Sequence, residues 1–244
     1  MCSESLKKMS QVKNLRLLNN IPLDHDIDQW LRDLEVGDKV RATEENMLKR
    51  LIEQATDLID PKAVLAVTYV EGRTDATVTL GSTIFKSTVL RKNLDQVERV
   101  FPYIITVGSE LEKKAGSMDD PLEQYYLEAM ADLALQKTQE YLESYLQETY
   151  QLGQISTMSP GSLSNWPLEQ QRELFSLLGD PKKNVGVHLT ESFLMIPRKS
   201  ISGIYFPTQV KFHSCQLCPR KRCIGRKAPY NPELAREMIP PAEK

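Results

Sequence analysis

Three cysteines stand close together near the end of this chain, in the pattern Cys215-x2-Cys218-x4-Cys223, with Pro219 fixing the turn between them. A loop this short lets three thiols close on one metal centre. Between Lys211 and Lys227 lie Lys211, Arg220, Lys221, Arg222, Arg226 and Lys227 with no acid among them. Such a field favours thiolate over thiol and lowers the cost of metal binding. His213 would complete a Cys3His zinc site, closed and structural. Alternatively, the thiolates hold an iron-sulfur cluster whose last iron is bound by His213, Cys2, water or a partner residue. The spacing matches neither common ferredoxin run, so spacing leaves both metals open. Cys2 stands alone, and a secreted disulfide framework does not fit so uneven a distribution.

A second group of polar residues is arranged by helical spacing. Glu128, Asp132, Gln136 and Glu140 follow one another every four residues, which stacks them on one stripe of a helix. Their ordinary role would be a solvated face. A third group sits in Val185–Phe206, where Thr190, Glu191 and Ser192 interrupt an apolar alternation and Ser200, Ser202 and Gly203 precede Tyr205 and Phe206. Read singly, these residues satisfy a hairpin's own backbone. No nucleophile with a base beside it and no glycine-rich phosphate cradle stands out, and His25, His188 and His213 are too scattered for a catalytic set. Hydrolytic and kinase chemistry are therefore not expected.

The elements that must position these groups follow from periodicity. Asp24 to Leu34 and Thr43 to Ile59 read as helices, the second with Met47, Leu48, Leu51 and Ile52 on one face and Thr43 as N-cap. Val64 to Val70, Ala76 to Leu80 and Ile84 to Val89 read as strands, a short helix spans Leu94 to Val100, and Tyr103 to Val107 is a fourth strand. Pro121 to Tyr150 is the longest helical signal, with Leu127, Met130, Ala134, Tyr141 and Tyr145 on its apolar face. Val185 to Phe206 reads as strand, decorated loop, strand. Strands adjacent in sequence predict an α+β domain with a twisted, largely antiparallel sheet flanked by helices.

Composition sets the remaining bounds. The chain has 244 residues, enough for one sizeable core, and a net charge of -2 that divides into +6 over Lys211–Lys227 and -8 elsewhere. No apolar run approaches the roughly 18 residues that cross a bilayer, and MCSESLKKMS lacks a signal peptide's apolar core, so a cytoplasmic protein is expected. The basic tail permits nucleic-acid binding, but it has few interleaved aromatics and the chain as a whole is slightly acidic. Residues 1–20 read as an extension, 21–206 as the domain, and 207–244 as a cysteine-rich basic appendage.

The words LTESF (Leu189 to Phe193), Met195-x-Pro197 and Ser200-x-Ser202-Gly203 resemble the C-terminal reactivation domain of cobalamin-dependent methionine synthase. Trp166-Pro167-Leu168-Glu169-Gln170-Gln171, Leu174 to Asp180, Glu128 to Asp132 and Glu140-Tyr141-Leu142 are similar to blocks of that domain, in the right order, over roughly residues 105 to 206.

In that family the domain binds S-adenosylmethionine and caps a cobalamin-carrying module, so that oxidised cobalt is reduced and trapped by methylation. The resemblance implies that Asp132 helps receive the histidine that leaves cobalt, through a charge-assisted hydrogen bond. Glu110 or Glu112 would be a second acid. It also implies a corrinoid- or partner-facing surface of Asp132, Glu191, Ser192, Met195, Ser200, Ser202, Gly203 and Tyr205. The family's ligand signature, an Arg followed four residues on by Gly-Tyr, is here Thr157, Gly161 and Ser162, and a family Glu is Gln136. A threonine hydroxyl cannot replace a guanidinium fork on a carboxylate, so a weakened S-adenosylmethionine site is expected.

Together these implications predict a corrinoid-pathway protein that docks on a separate cobalamin-binding protein or methyltransferase subunit and supports reductive reactivation or methyl transfer at cobalt. If enzymatic, it would be a methionine synthase-related methyltransferase component or corrinoid reactivase. That context favours iron-sulfur over zinc, because reducing cobalt takes one low-potential electron. The alternatives are an S-adenosylmethionine-binding reactivation subunit of a split methionine synthase and a zinc-stabilised non-catalytic binding module.

Overall fold

The computed structural model describes residues 15–23, 26–34, 42–223 and 225–239. Cys2, His25 and the Thr43 and Glu44 side chains lie outside the described residues, as does most of the proposed extension.

Strand β6, Arg99–Thr106, organises the sheet because almost every residue in it is apolar and buried. Phe101, Tyr103 and Ile105 point into one core cluster, Val100 and Ile104 into the two others, as the two-residue period of a strand requires. Strands β2 (Lys62–Ala66) and β3 (Thr68–Arg73) pair with successive stretches of β6 in one continuous antiparallel register, Lys62 opposite Thr106 and Tyr69 opposite Arg99. The single strand expected over Val64 to Val70 is therefore two. The break, at Val67, falls opposite Phe101 and next to Pro102, which has no N–H to give a ladder. Strands β4 (Thr77–Leu80) and β5 (Thr83–Lys86) extend the sheet beyond β3, and β1 (Leu15–Leu18) adds to β2. On the other side of β6 lies β10 (Ser200–Pro207), followed by β7 (Ile155–Met158). Every pairing in this curled sheet is antiparallel, as the sequence predicts.

Helices α1 (Ile27–Asp33) and α2 (Ala42–Leu58) pack over one face with the long α5 (Pro121–Tyr150). Asp26 caps α1, accepting from the Asp28 and Gln29 amides at 2.9 and 3.2 Å. Asp120 caps α5, with Pro121 in the first turn. Leu127, Met130 and Ala134 of α5 are fully buried. Two expected elements shift. Ser87 accepts from the Leu90 amide at 3.1 Å and starts helix α3 at Thr88–Asn93, so the predicted strand ends at Lys86 and the predicted helix over Leu94 to Val100 gives way to β6. A short α4, Glu110–Gly116, precedes α5.

The Val185–Phe206 stretch also departs from its reading. Val185 ends a helix (α7, Pro181–Val185) that follows α6, Gln171–Ser176, and Gly186 supplies the left-handed C-cap at φ 77°. His188–Leu189 (β8) and Met195–Ile196 (β9) form a two-residue hairpin of their own, while β10 belongs to the main sheet. The segment after Pro207 is no free appendage: Phe212, Leu217 and Ala235 of helix α8 (Pro232–Met238) are buried in the second core cluster with Phe206 and Trp166.

Candidate functional site

Helix α5 positions the polar stripe, and its two ends meet different neighbours. At one end Glu128 and Asp132 face the link between β9 and β10. Lys199 Nζ donates to Asp132 Oδ1 at 2.7 Å and pairs with Glu128 Oε2 at 2.9 Å. Arg198 bridges Glu112 Oε1 on α4 at 2.7 Å and Glu128 Oε1 at 2.8 Å. Burial pushes the Glu128 carboxyl up, but the hydrogen bonds and charges of Lys199 and Arg198 outweigh it and hold its pKa below the usual value. Burial lowers and these carboxylates raise Lys199, with a net upward shift. Asp132 keeps 67% of its side chain exposed, so one oxygen is held by Lys199 and the other is open to a donor from outside.

At the other end Gln136, Gln139, Glu140 and Glu143 form one wall of a cleft of about 530 Å³. Thr157 on β7 lines it, and behind Thr157 the buried Tyr103 stacks on Tyr205 with ring centroids 4.5 Å apart. Tyr103 Oη shares a hydrogen bond with Thr157 Oγ1 at 3.1 Å, and burial pushes its pKa up to about 12. The opposite wall is the cysteine segment, through Lys211, His213, Arg226 and Lys227. Burial, then the charges of Lys211 and Lys227, lower the His213 pKa and favour a neutral imidazole.

The expected ligand set is therefore divided. Gln136 and Thr157 face each other across this cleft, whereas Gly161 and Ser162 do not line it. Gly161 has φ 80° and donates its amide to the Trp166 carbonyl at 2.7 Å; a Cβ there would meet Leu168 Cδ1 at 2.8 Å. Ser162 Oγ donates to the Ser159 carbonyl at 2.6 Å and borders a separate cavity near Cys218.

The expected partner-facing set divides too. Glu191 and Ser192 are exposed at the tip of the β8–β9 hairpin beside Leu194, and Met195 packs partly against the third core cluster. Ser200, Ser202, Gly203 and Tyr205 are corrected: all four are buried in β10. Ser200 Oγ bonds Thr106 Oγ1 at 3.0 Å and the Pro197 carbonyl at 2.8 Å, and Ser202 Oγ donates to Gln171 Oε1 at 2.6 Å. Their hydroxyls satisfy the interior of the sheet and face no partner.

The cysteines do not close on a common centre. Among the described residues no group of three or more His, Cys, Asp or Glu side chains is placed to hold a metal ion. The Arg226 guanidinium takes the interior of this loop, donating to the carbonyls of Cys215, Cys218, Arg220 and Ala228. The Cys215 thiol accepts from the Lys227 amide at 3.4 Å, and Cys223 is exposed. A cation at the hub of the loop disfavours a metal ion there. The residues as placed do not fit either the iron-sulfur or the zinc assignment. Part of the basic patch thus has a destination that spacing alone does not reveal: Lys211, Arg226 and Lys227 wall the cleft.

Comparison with known proteins agrees with this architecture. A solved structure, the MetH reactivation domain bound to AdoHcy, has the same fold, with a TM-score of 0.59 and 16% sequence identity over 82% of this chain and 80% of that one. No curated protein matches the chain. Residues 89–223, more than half of the chain, match the family described as vitamin B12 dependent methionine synthase, activation domain, and to that family this chain belongs.

Proposed function

We propose that this chain docks on a separate cobalamin-binding protein or methyltransferase subunit and supports reductive reactivation or methyl transfer at cobalt, in methionine synthesis or a related methyltransferase system. Membership of the activation-domain family carries this reading. The exposed Asp132 carboxylate on α5 gives it a chemical footing, because its free oxygen is available to a histidine released from cobalt. An imidazolium so received is stabilised by a charge-assisted hydrogen bond, which lowers the free energy of the histidine-off, docked state. The electron for cobalt reduction comes from a separate low-potential one-electron carrier, and this chain's task is to hold the docked geometry. The exposed apolar Leu194 and Ile196, next to Glu191 and Ser192 on the β8–β9 hairpin, offer a further contact surface.

The test is binding of the full chain to a purified cobalamin-binding module, with Asp132→Ala alongside. A charged hydrogen bond is worth roughly 1.5–3 kcal/mol, so the variant should dock about 10- to 100-fold more weakly. Its thermal stability should change little, by about 0–1 kcal/mol, because Asp132 is largely exposed and the mostly buried Lys199 keeps Glu128 as its partner. Equal docking by the two proteins would remove the role given to Asp132, and no docking by the wild type would remove the reading itself.

A further inference from the structure

The three cysteines do not fit a metal ion, yet one side chain gathers their backbone. Arg226 donates through Nη1 to the Cys215 carbonyl at 3.0 Å and through Nη2 to the Cys218 carbonyl at 3.2 Å. Its own amide donates to the Cys223 carbonyl at 3.3 Å. Cys215 and Cys218 are the close pair: Cys215 lies in the 3-10 turn Ser214–Leu217, and the amide of Cys218, at its end, closes on the Cys215 carbonyl at 3.3 Å. Three residues at a 3-10 rise of about 2 Å set the two Cα atoms roughly 6 Å apart, within the about 4.4–6.8 Å that a disulfide spans. Both thiols are free and half-buried. Their surroundings differ. Cys215 Sγ accepts from the Lys227 amide at 3.4 Å, whereas Cys218 lines an open cavity of about 580 Å³ with Ser162, Pro219, Tyr230 and Arg236. That is the size of a small-molecule site, and no acid lines it among the described residues. Arg236 uses only its Nε, on the Pro232 carbonyl at 3.2 Å, and the exposed Arg220, Lys221 and Arg222 that follow Cys218 form no ion pair among the described residues. Such a field draws an anion towards Cys218.

We propose that Cys215 and Cys218 form a thiol–disulfide exchange site, and that its oxidant is a small anionic disulfide of the glutathione disulfide class. The Cys218 sulfur attacks one sulfur of that disulfide. A mixed disulfide forms, the original S–S bond breaks, and the departing glutathione takes the proton that Cys218 gives up. Cys215, one turn back, then attacks the Cys218 sulfur. The intramolecular disulfide closes, and the second glutathione leaves with the Cys215 proton. Two protein thiols are oxidised and one small disulfide is reduced to two thiols, so the exchange takes no metal and no further electron carrier. Cys223 lies outside the turn and has no part in it. Because Cys215 Sγ also receives the Lys227 amide, its bond to Cys218 draws it from that contact and loosens the return of the loop. The exchange is independent of docking on a cobalamin-binding protein.

The full chain, reduced and then freed of reductant without oxygen, is held in buffers of glutathione disulfide and glutathione at graded ratios, alkylated and digested with trypsin. Cleavage after Lys211 and Arg220 puts Cys215 and Cys218 on one peptide, Phe212–Arg220, and Cys223 on another. The wild type should give the first peptide two hydrogens lighter and closed to alkylation, and added glutathione should reverse this. Cys215→Ser should stop at a glutathione adduct on Cys218, Cys218→Ser should lose the disulfide, and Cys223→Ser should leave it unchanged. Glutathione disulfide should react faster than the neutral hydroxyethyl disulfide, with an advantage that shrinks as salt is added. In the oxidised protein the Lys227 amide should exchange its hydrogen faster. A wild type whose peptide stays alkylated at every ratio would overturn the assignment, and this result needs no variant to fold. So would a disulfide that joins Cys223 to either partner, a Cys215→Ser adduct confined to Cys223, or stoichiometric zinc or iron retained on anaerobic purification. Equal rates for the two small disulfides would overturn the choice of an anionic oxidant.

Discussion

Gly203 shows how much of the site depends on one missing side chain. It lies in β10, where a Cβ would come within 2.7 Å of the Met158 carbonyl, 2.8 Å of Ser159 Oγ and 3.1 Å of the Tyr103 ring. The first contact is with backbone and cannot swing away, so β7 would have to move from β10. Gly203→Ala should destabilise the protein by about 1–3 kcal/mol, as overpacking of a tight core does, and lower Tm by roughly 2–12 °C. Thermal unfolding checks this, and an unchanged Tm would mean that the strands separate freely. The words of the sequence around this position were legible, but their placement was not. Serines 200 and 202 look like surface residues in a list of residue types. They are interior because Thr106 and Gln171, distant in sequence, satisfy their hydroxyls. Asp132 was legible for the opposite reason, since helical spacing alone puts it on an exposed stripe.

Between elements, the clasp of Arg198 and Lys199 ties the β9–β10 link to α4 and α5 and has a definite pH dependence. Glu128 has a folded pKa below its ordinary value of 4.5. The folded state therefore binds fewer protons than the unfolded state near that pH, and the stabilisation is present above about pH 4.5 and lost as pH falls through the folded pKa. Wild-type Tm should exceed that of Glu128→Gln at neutral pH, with the gap closing below about pH 4. A gap that does not vary with pH would show that the carboxylate's charge contributes nothing. Helix α5 itself was readable to the residue at both ends, because Asp120 and Pro121 are strong start signals and the apolar face is long. The strands near it were harder. Ile84 to Val89 is apolar enough for a strand, yet Ser87 prefers to cap a helix, and a local cap outweighed β propensity there.

On the scale of the whole molecule, the segment after β10 completes the cover of the sheet's second face, beside Trp166, Leu174 and helix α3. Sequence reading set residues 207–244 apart because they are rich in proline, charge and cysteine, and composition of that kind conceals a few well-spaced apolar residues. Phe212 and Leu217 are those residues, at 8% and 2% exposure, packed with Phe206 and Trp166. The Phe212 amide also donates to Ser156 Oγ on β7 at 2.7 Å, so the segment is bonded to the strand that lines the cleft. Burying two such side chains is worth about 3–6 kcal/mol, from which the cost of ordering the segment must be subtracted. A chain ending after Pro207 should therefore unfold some 5–15 °C lower, at roughly 2–4 °C per kcal/mol for a protein of this size. Loss of an independent appendage would leave Tm unchanged. A truncated chain with wild-type Tm would show that Phe212 and Leu217 cover nothing the core requires, whereas a single transition at lower Tm would mean that the segment, bonded to β7 and packed in the second core, unfolds with the sheet as one unit.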